Sequence, residues 1–214
     1  MSDAREAVLG RIDAAIGGRP RGDPQAEYAA VDRAYQRTPR FDREERRRLF
    51  ASRLEDYDCG VYVAPVESVA DTVRQVLASR GRRRLVAPRG VPAALLPPEL
   101  DLCRDDGRSA REIEHFEGVI TSCAVAIAFT GSMVLTHADA EGRRVLTLLP
   151  DYHLCLVPED RIVDTLPEAL ARIRGASPTL ITTISGPSAT ADIEMTRIRG
   201  VHGPRTLDVV IITT

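Results

Sequence analysis

The chain contains no lysine, no asparagine and no tryptophan, and all 29 of its basic residues are arginine. A genome rich in G and C accounts for the bias, but the absence has chemical content. It excludes a Schiff-base lysine, a P-loop lysine and a lysine general base. Cysteine is sparse, and Cys59, Cys103, Cys123 and Cys155 lie far apart without a C-x-x-C pair. That spacing excludes a zinc ribbon and a ferredoxin-type cluster motif. The four histidines, His115, His137, His153 and His202, show no H-x-x-x-H spacing, so no metal site is announced. No apolar run approaches the ~20 residues of a membrane span. The opening "MSDAREAVLGRIDAAIGG" is amphipathic and mixed in charge, unlike a secretory signal. These features read as a cytoplasmic protein without a membrane span. A net charge of -2 gives no global electrostatic reason to expect nucleic acid as a partner.

What is there begins with helical patterning. Residues 1–58 read as a helical extension. Ala4, Val8, Ile12 and Ile16 recur at helical spacing, and "GGRPRGDPQ" breaks the pattern. A second helix is expected over "AEYAAVDRAYQR" and a third over "DREERRRLFASRLEDY", with Leu49, Phe50 and Leu54 available for docking. The Arg46-Arg47-Arg48 run suggests nucleic acid. Its interleaving with Glu44, Glu45 and Glu55 reads instead as a solvated helix face.

Residues 59–214 read as one α/β domain of three layers with a mainly parallel sheet. "VYVAPV", "ESVADTVRQVLASRG" and "RRLVAP" give strand, helix, strand, the mark of a βαβ unit. "AVAIAFTGSMVLTH" contains two strands around Thr130-Gly131-Ser132, and "RRVLTLLP" and "YHLCLVP" read as two more. Cys123 and Cys155 sit in apolar runs and read as buried thiols. His153 reads as a satisfied core or edge residue. The β-branched runs "TLITTI" and "LDVVII" are expected to be buried central strands.

Between those two runs lies a corner with two Gly-Pro pairs, Gly186-Pro187 and Gly203-Pro204. A helix is expected over about 190–199, capped by Ser188 or Thr190, with Asp192 and Glu194 in its first turns. Three readings stay open: a structural cap, a polar pocket of hydroxyls and carboxylates, and a phosphate cradle at the helix N-terminus. Two carboxylates near the positive end of the helix argue against the last. His202 is either a turn-stabilising donor or a general acid or base.

"SGPSATADIE" followed by "GVHGPRTLDVVII", with "GVITSCAVAIAFTGSMVL" and "LLPDYHLCLVPEDRIV" before it in order, resembles the LUD-domain family, and within it the lactate utilization protein C branch. The resemblance runs over roughly residues 60–214. It implies a fold similar to the sugar-phosphate isomerase and CoA-transferase-like architecture. It implies a cluster-free subunit or accessory protein of a bacterial system that oxidises L-lactate to pyruvate. It also implies iron–sulfur clusters carried by partner proteins and no cofactor in this chain. The alternative is a stand-alone enzyme or binding protein of that fold, acting on a phosphorylated or CoA-linked carboxylic acid. On either reading a small anionic ligand is expected at Thr130, Gly131, Ser132, Gly186, Pro187, Ser188, Thr190 and Asp192, with His202, Asp192 and Glu194 as catalytic candidates. The sequence departs from the family at one point. Where the family places a carboxylate before Thr-Gly, this chain has Phe129, which cannot act as nucleophile, base or metal ligand.

Overall fold

The computed structural model of the chain describes residues 2–17, 22–34, 40–175, 180–190, 198–199 and 203–214. They belong to two compact units, Met1–Tyr35 and Gln36–Thr214. The first contains helices α1 (Ser2–Ala15) and α2 (Pro24–Ala30). The periodic residues Ala4, Val8, Ile12 and Ile16 are all exposed. α2 begins and ends earlier than the sequence pattern suggests. The Asp23 carboxylate accepts from Gln25 N–H at 3.0 Å, and Pro24 has the fixed φ that a first helical turn accepts.

The second unit opens on α3 (Arg43–Glu55). Asp42 and Glu45 form a reciprocal capping box at its start, with bonds of 2.8 and 3.1 Å. There follow β1 (Gly60–Pro65), α4 (Val69–Ser79), β2 (Arg84–Ala87), β3 (Asp101–Arg104), α5 (Ala110–Glu114) and β4 (Gly118–Ser122). Then come β5 (Val125–Ile127), β6 (Ser132–Leu135), β7 (Tyr152–Pro158), β8 (Ile162–Val163) and α6 (Leu166–Arg174). The chain closes with β9 (Thr182–Ile184), β10 (Ala189–Thr190), β11 (Ile198–Arg199) and β12 (Thr206–Thr213).

Six strands form one parallel sheet in the order β1-β12-β7-β4-β2-β3. The mainly parallel α/β architecture expected from the strand–helix alternation is therefore present. A smaller sheet, β8-β5-β6-β9, lies against it, with β5–β6 and β6–β9 antiparallel. Successive side chains of a strand point to opposite faces, and β7 and β12 show it. Tyr152, Leu154, Leu156, Val210 and Ile212 pack with Val69, Val73, Val76 and Leu77 of α4. Cys155, Val157, Leu207, Val209 and Ile211 turn the other way and meet Ala126 and Met133 of the small sheet and Phe50 and Leu54 of α3. The outer face of the small sheet buries Val125, Ile127 and Val134 against Ala169 and Ile173 of α6.

α3 is held by charge as well as by Phe50 and Leu54. Arg46 Nε lies 2.5 Å from the fully buried Asp164 carboxylate, and Arg43 and Arg47 reach Glu159 at 2.7 and 2.8 Å. The solvated-face reading of this arginine run therefore fails for Arg46 and Arg47. Only Arg48, 3.8 Å from Glu44, lies on an exposed face. Burial pushes the Asp164 carboxyl upward, but the N–H groups of Arg40 and Phe41 and the Arg46 guanidinium outweigh it and hold its pKa low.

Three further expectations change. "RRVLTLLP" is a 3₁₀ turn over Arg144–Thr147 and not a strand. β7 is already paired on both sides, by β4 and β12, so no ladder position beside it remains. "TLITTI" supplies β9, an edge strand bonded to β6, and its residues are half-buried or exposed. The helix expected over 190–199 is absent at both described ends. Ala189 pairs with Arg199 and Thr190 with Ile198 in an antiparallel ladder. Residues 191–197 and 200–202, and with them Asp192, Glu194 and His202, lie outside the described residues.

Candidate functional site

The two segments singled out in the sequence come together. Pairing of β6 with β9 sets Met133 opposite Ile184, so Ser132 and Ser185 are neighbours one position outside the ladder. Their hydroxyl oxygens are 2.6 Å apart, and Thr130 Oγ1 donates to Ser132 Oγ at 2.8 Å. The result is a three-hydroxyl chain linking the Thr130-Gly131-Ser132 turn to the Ser185–Ser188 corner.

Both turns close against the end of α3 and the residues that follow it. Gly131 has φ 59°, and a Cβ there would lie 2.7 Å from Arg53 Cβ. Gly186 has φ 85°, and its Cβ would lie 2.7 Å from Tyr57 Cβ. Only glycine suits the two positions, since each needs a left-handed backbone and has no space for a side chain. Phe129, in the turn before Gly131, is half-exposed, and its ring stands 6.3 Å from that of Phe41.

The two Gly-Pro corners also meet. Ser188 N–H donates to Pro204 O at 2.8 Å, directly below the β10–β11 ladder. With Ala189 and Thr190 paired in the ladder, no helix starts directly after Ser188, and among the described residues no helix N-terminus stands at this corner to cradle phosphate.

Beneath the corner is a cavity of about 220 Å³. Ser185, Gly186, Pro187 and Ser188 form one wall, and Gly203, Pro204 and Leu207 another. Arg144, Thr147 and His153 contribute a further part of the lining, with Thr182–Ile184 of β9 and Ala189. Ser132 stands behind Ser185 and is itself buried. Gly186, Pro187 and Ser188 thus line the cavity, whereas Thr130, Gly131 and Ser132 brace it. Thr190 belongs to β10.

Arg144 and Thr147 were not legible as site residues, because the sequence pattern placed them on a strand. The 3₁₀ turn curls them together: Arg144 Nη1 donates to Thr147 O at 3.0 Å and to Thr147 Oγ1 at 2.9 Å. No carboxylate pairs with Arg144 among the described residues. His153 is buried as expected, with Nε2 2.8 Å from Thr121 Oγ1. Burial, helped by the charge of Arg144, pushes its pKa down to about 4, so the ring is neutral at physiological pH. His137 Nδ1 donates to the Gly142 carbonyl at 2.8 Å, and its Nε2 lies 2.8 Å from the hydroxyl of Thr182, a cavity-lining residue.

The thiols are elsewhere. Cys59, Cys123 and Cys155 are buried in the core between the sheets. A hydrogen bond with Cys155, together with burial, raises the Cys123 pKa well above the ordinary thiol value. A thiol held protonated is neither a ready nucleophile nor a ready metal ligand. Among the described residues no three His, Cys, Asp or Glu side chains gather to hold a metal ion, and no helix is long and apolar enough to cross a membrane.

The chain is similar to known proteins along most of its length. The LUD domain matches residues 99–212. Lactate utilization protein C of Deinococcus radiodurans is 36% identical over 217 residues, which cover 99% of this chain and 96% of that protein. The protein of the same name from Shouchella clausii is 36% identical over 122 residues, 54% of this chain and 53% of the relative. The crystal structure of a DUF162 family protein from Deinococcus radiodurans superposes with a TM-score of 0.71 at 32% identity, over 81% of this chain and 100% of that one. A domain match over half the chain and a relative alike from end to end lead to one conclusion: the chain belongs to the LUD-domain family.

Proposed function

We propose that this protein works in the cytoplasmic oxidation of L-lactate to pyruvate, as the cluster-free subunit or accessory protein of an iron–sulfur system. The observation that carries the reading is the likeness, at 36% identity across 99% of the chain, to a relative named lactate utilization protein C. The thiols are consistent with that division of labour. They are dispersed, and Cys59, Cys123 and Cys155 serve the core. The iron–sulfur clusters then belong to partner proteins, and this chain contributes a fold with a small polar cavity. Affinity purification from lactate-grown cells tests the reading. Co-purifying proteins with iron–sulfur absorbance are the expected result. Normal growth on L-lactate by a deletion strain without a paralogue counts decisively against it.

The cavity favours a second reading, a stand-alone enzyme or binding protein for a phosphorylated or CoA-linked carboxylic acid. An arginine without a carboxylate partner among the described residues, set among hydroxyls, is an anion-binding arrangement. A thermal-shift series with sugar phosphates, acyl-CoAs and nucleotides separates the two. Stabilisation by any of them at millimolar concentration supports the second reading, and none by all of them removes it.

A further inference from the structure

The cavity beneath the Gly-Pro corner is lined by one guanidinium and one neutral imidazole. Arg144 is half-buried and donates Nη1 to Thr147, and no carboxylate pairs with it among the described residues. A desolvated guanidinium keeps its charge, and it is stabilised by an anion presenting two oxygens in its plane. His153 is 1% exposed and lines the cavity, and its Nε2 is occupied by Thr121. With Nε2 occupied, Nδ1 is the ring nitrogen left to meet a ligand in the cavity.

We propose that this cavity binds a small 2-hydroxy- or 2-oxocarboxylate, its carboxylate on Arg144 and its C2 oxygen on His153 Nδ1. The ligand class deepens the lactate reading above and rests on it. Three observations choose that class. The volume, about 220 Å³, is below the ~300–1,000 Å³ of sites for larger organic ligands. A volume of that size suits a three-carbon acid. Arg144 is the single cation among the described lining residues, and none of them is acidic, which matches a monoanion better than a phosphate dianion. The neutral imidazole next to it supplies one uncharged partner for an uncharged oxygen. A hydroxyl satisfies Nδ1 in either tautomer, since it both donates and accepts, whereas a ketone oxygen satisfies only the protonated one. Ser185, fixed by its 2.6 Å bond to Ser132, completes the wall facing them.

Calorimetric titration of the full chain with L-lactate, pyruvate, acetate and inorganic phosphate tests the assignment. L-lactate or pyruvate is expected to bind at least tenfold more tightly than acetate, which lacks the C2 oxygen. Arg144→Gln should weaken binding by about 10- to 100-fold, the range for losing a charged hydrogen-bond partner. His153→Gln should erase the preference over acetate while acetate itself still binds. Amide NMR shifts on lactate addition, confined to the cavity lining of the unmodified chain (residues 144–147, 153, 182–189 and 203–207), locate the ligand should either variant fail to fold. Equal affinity for acetate, tighter binding of phosphate, or shifts away from those residues overturns the proposal. Failure of this inference is distinct from failure of the lactate role. A deletion strain that cannot grow on L-lactate, combined with a chain that binds none of these acids, removes the cavity assignment and leaves the process intact.

Discussion

Ser132 and Ser185, 53 residues apart in sequence, bring their hydroxyl oxygens to 2.6 Å. The bond ties the turn between β5 and β6 to the corner after β9. Its existence follows from ladder register: once Met133 faces Ile184, the residues flanking them meet. Ser132→Ala removes the middle of the hydroxyl chain and leaves Thr130 Oγ1 without its acceptor. We expect a loss of about 1 kcal/mol, the net value of a typical hydrogen bond, in urea denaturation. An unchanged midpoint would show that the chain of hydroxyls contributes nothing to stability.

Gly186 is a sharper case, because backbone and packing agree. Its φ of 85° is unfavourable for any residue with a Cβ, and the added methyl would lie 2.7 Å from Tyr57 Cβ, in a part of the fold set by α3. Gly186→Ala should therefore destabilise by more than the ~1 kcal/mol that the same substitution gains at a compatible site, with opposite sign. Gly175 is the control: a Cβ there meets nothing within 4 Å and its φ is -67°. Gly175→Ala should be neutral or stabilising in the same thermal melt.

Much of the sheet was legible in the sequence. β12 and β7 are mostly apolar runs, and β12 is rich in β-branched residues, because parallel central strands are covered on both faces. α4 announced itself through Val69, Val73, Val76 and Leu77, all of which it buries. What was not legible depends on partners distant in sequence. Arg46 and Arg47 look solvated until Asp164 and Glu159, more than a hundred residues away, are placed under them. The corner after β9 carries helix-capping residues, yet the Ser188 N–H goes to Pro204, and a bond to the second Gly-Pro pair is invisible to local pattern. The site was half legible for the same reason. Its glycines, prolines and serines mark turns, whereas Arg144 and His153 enter the cavity only through tertiary placement.

Asp208 makes a separate prediction in the large sheet. Its carboxylate is fully buried, accepts from Arg80 Nε and Nη2 at 2.8 and 2.7 Å, and accepts from the Tyr152 hydroxyl at 2.9 Å. Burial first, then the Asp208 charge, raises the Tyr152 pKa, so the phenol stays protonated as a donor. Removing the acceptor strands the buried Tyr152 hydroxyl, whereas Arg80, 38% exposed, can turn to water. Asp208→Ala should cost about 1–3 kcal/mol, the penalty of an unsatisfied buried group. Asp208→Asn keeps the shape and one acceptor oxygen and should cost less. Equal losses for the two variants in guanidinium denaturation would show that shape, and not charge, is what the site needs.

His153 gives the stability a dependence on pH whose sign can be worked out. The folded ring titrates at about 4, depressed by burial and by Arg144, whereas an unfolded histidine titrates near 6.5. Between those values the unfolded chain binds a proton that the folded chain refuses, so stability rises with pH across that window. The contribution is complete above pH 6.5 and is lost as pH falls toward 4. A shift of this size corresponds to about 3 kcal/mol at the acid end. Carboxylates titrate in the same range, so the test compares the wild type with His153→Gln. The wild type should lose more stability between pH 7 and about pH 4.5, and identical profiles would show that His153 is not responsible. A bound carboxylate changes the outcome in a defined direction. Placed on Arg144, it offsets the cation that helps to depress the His153 pKa, so the folded value moves up toward the unfolded one. The acid-dependent loss should then shrink in saturating L-lactate for the wild type. In Arg144→Gln, at the L-lactate concentration that saturates the wild type, the change should be smaller, because the cation is gone and the ligand is held more weakly.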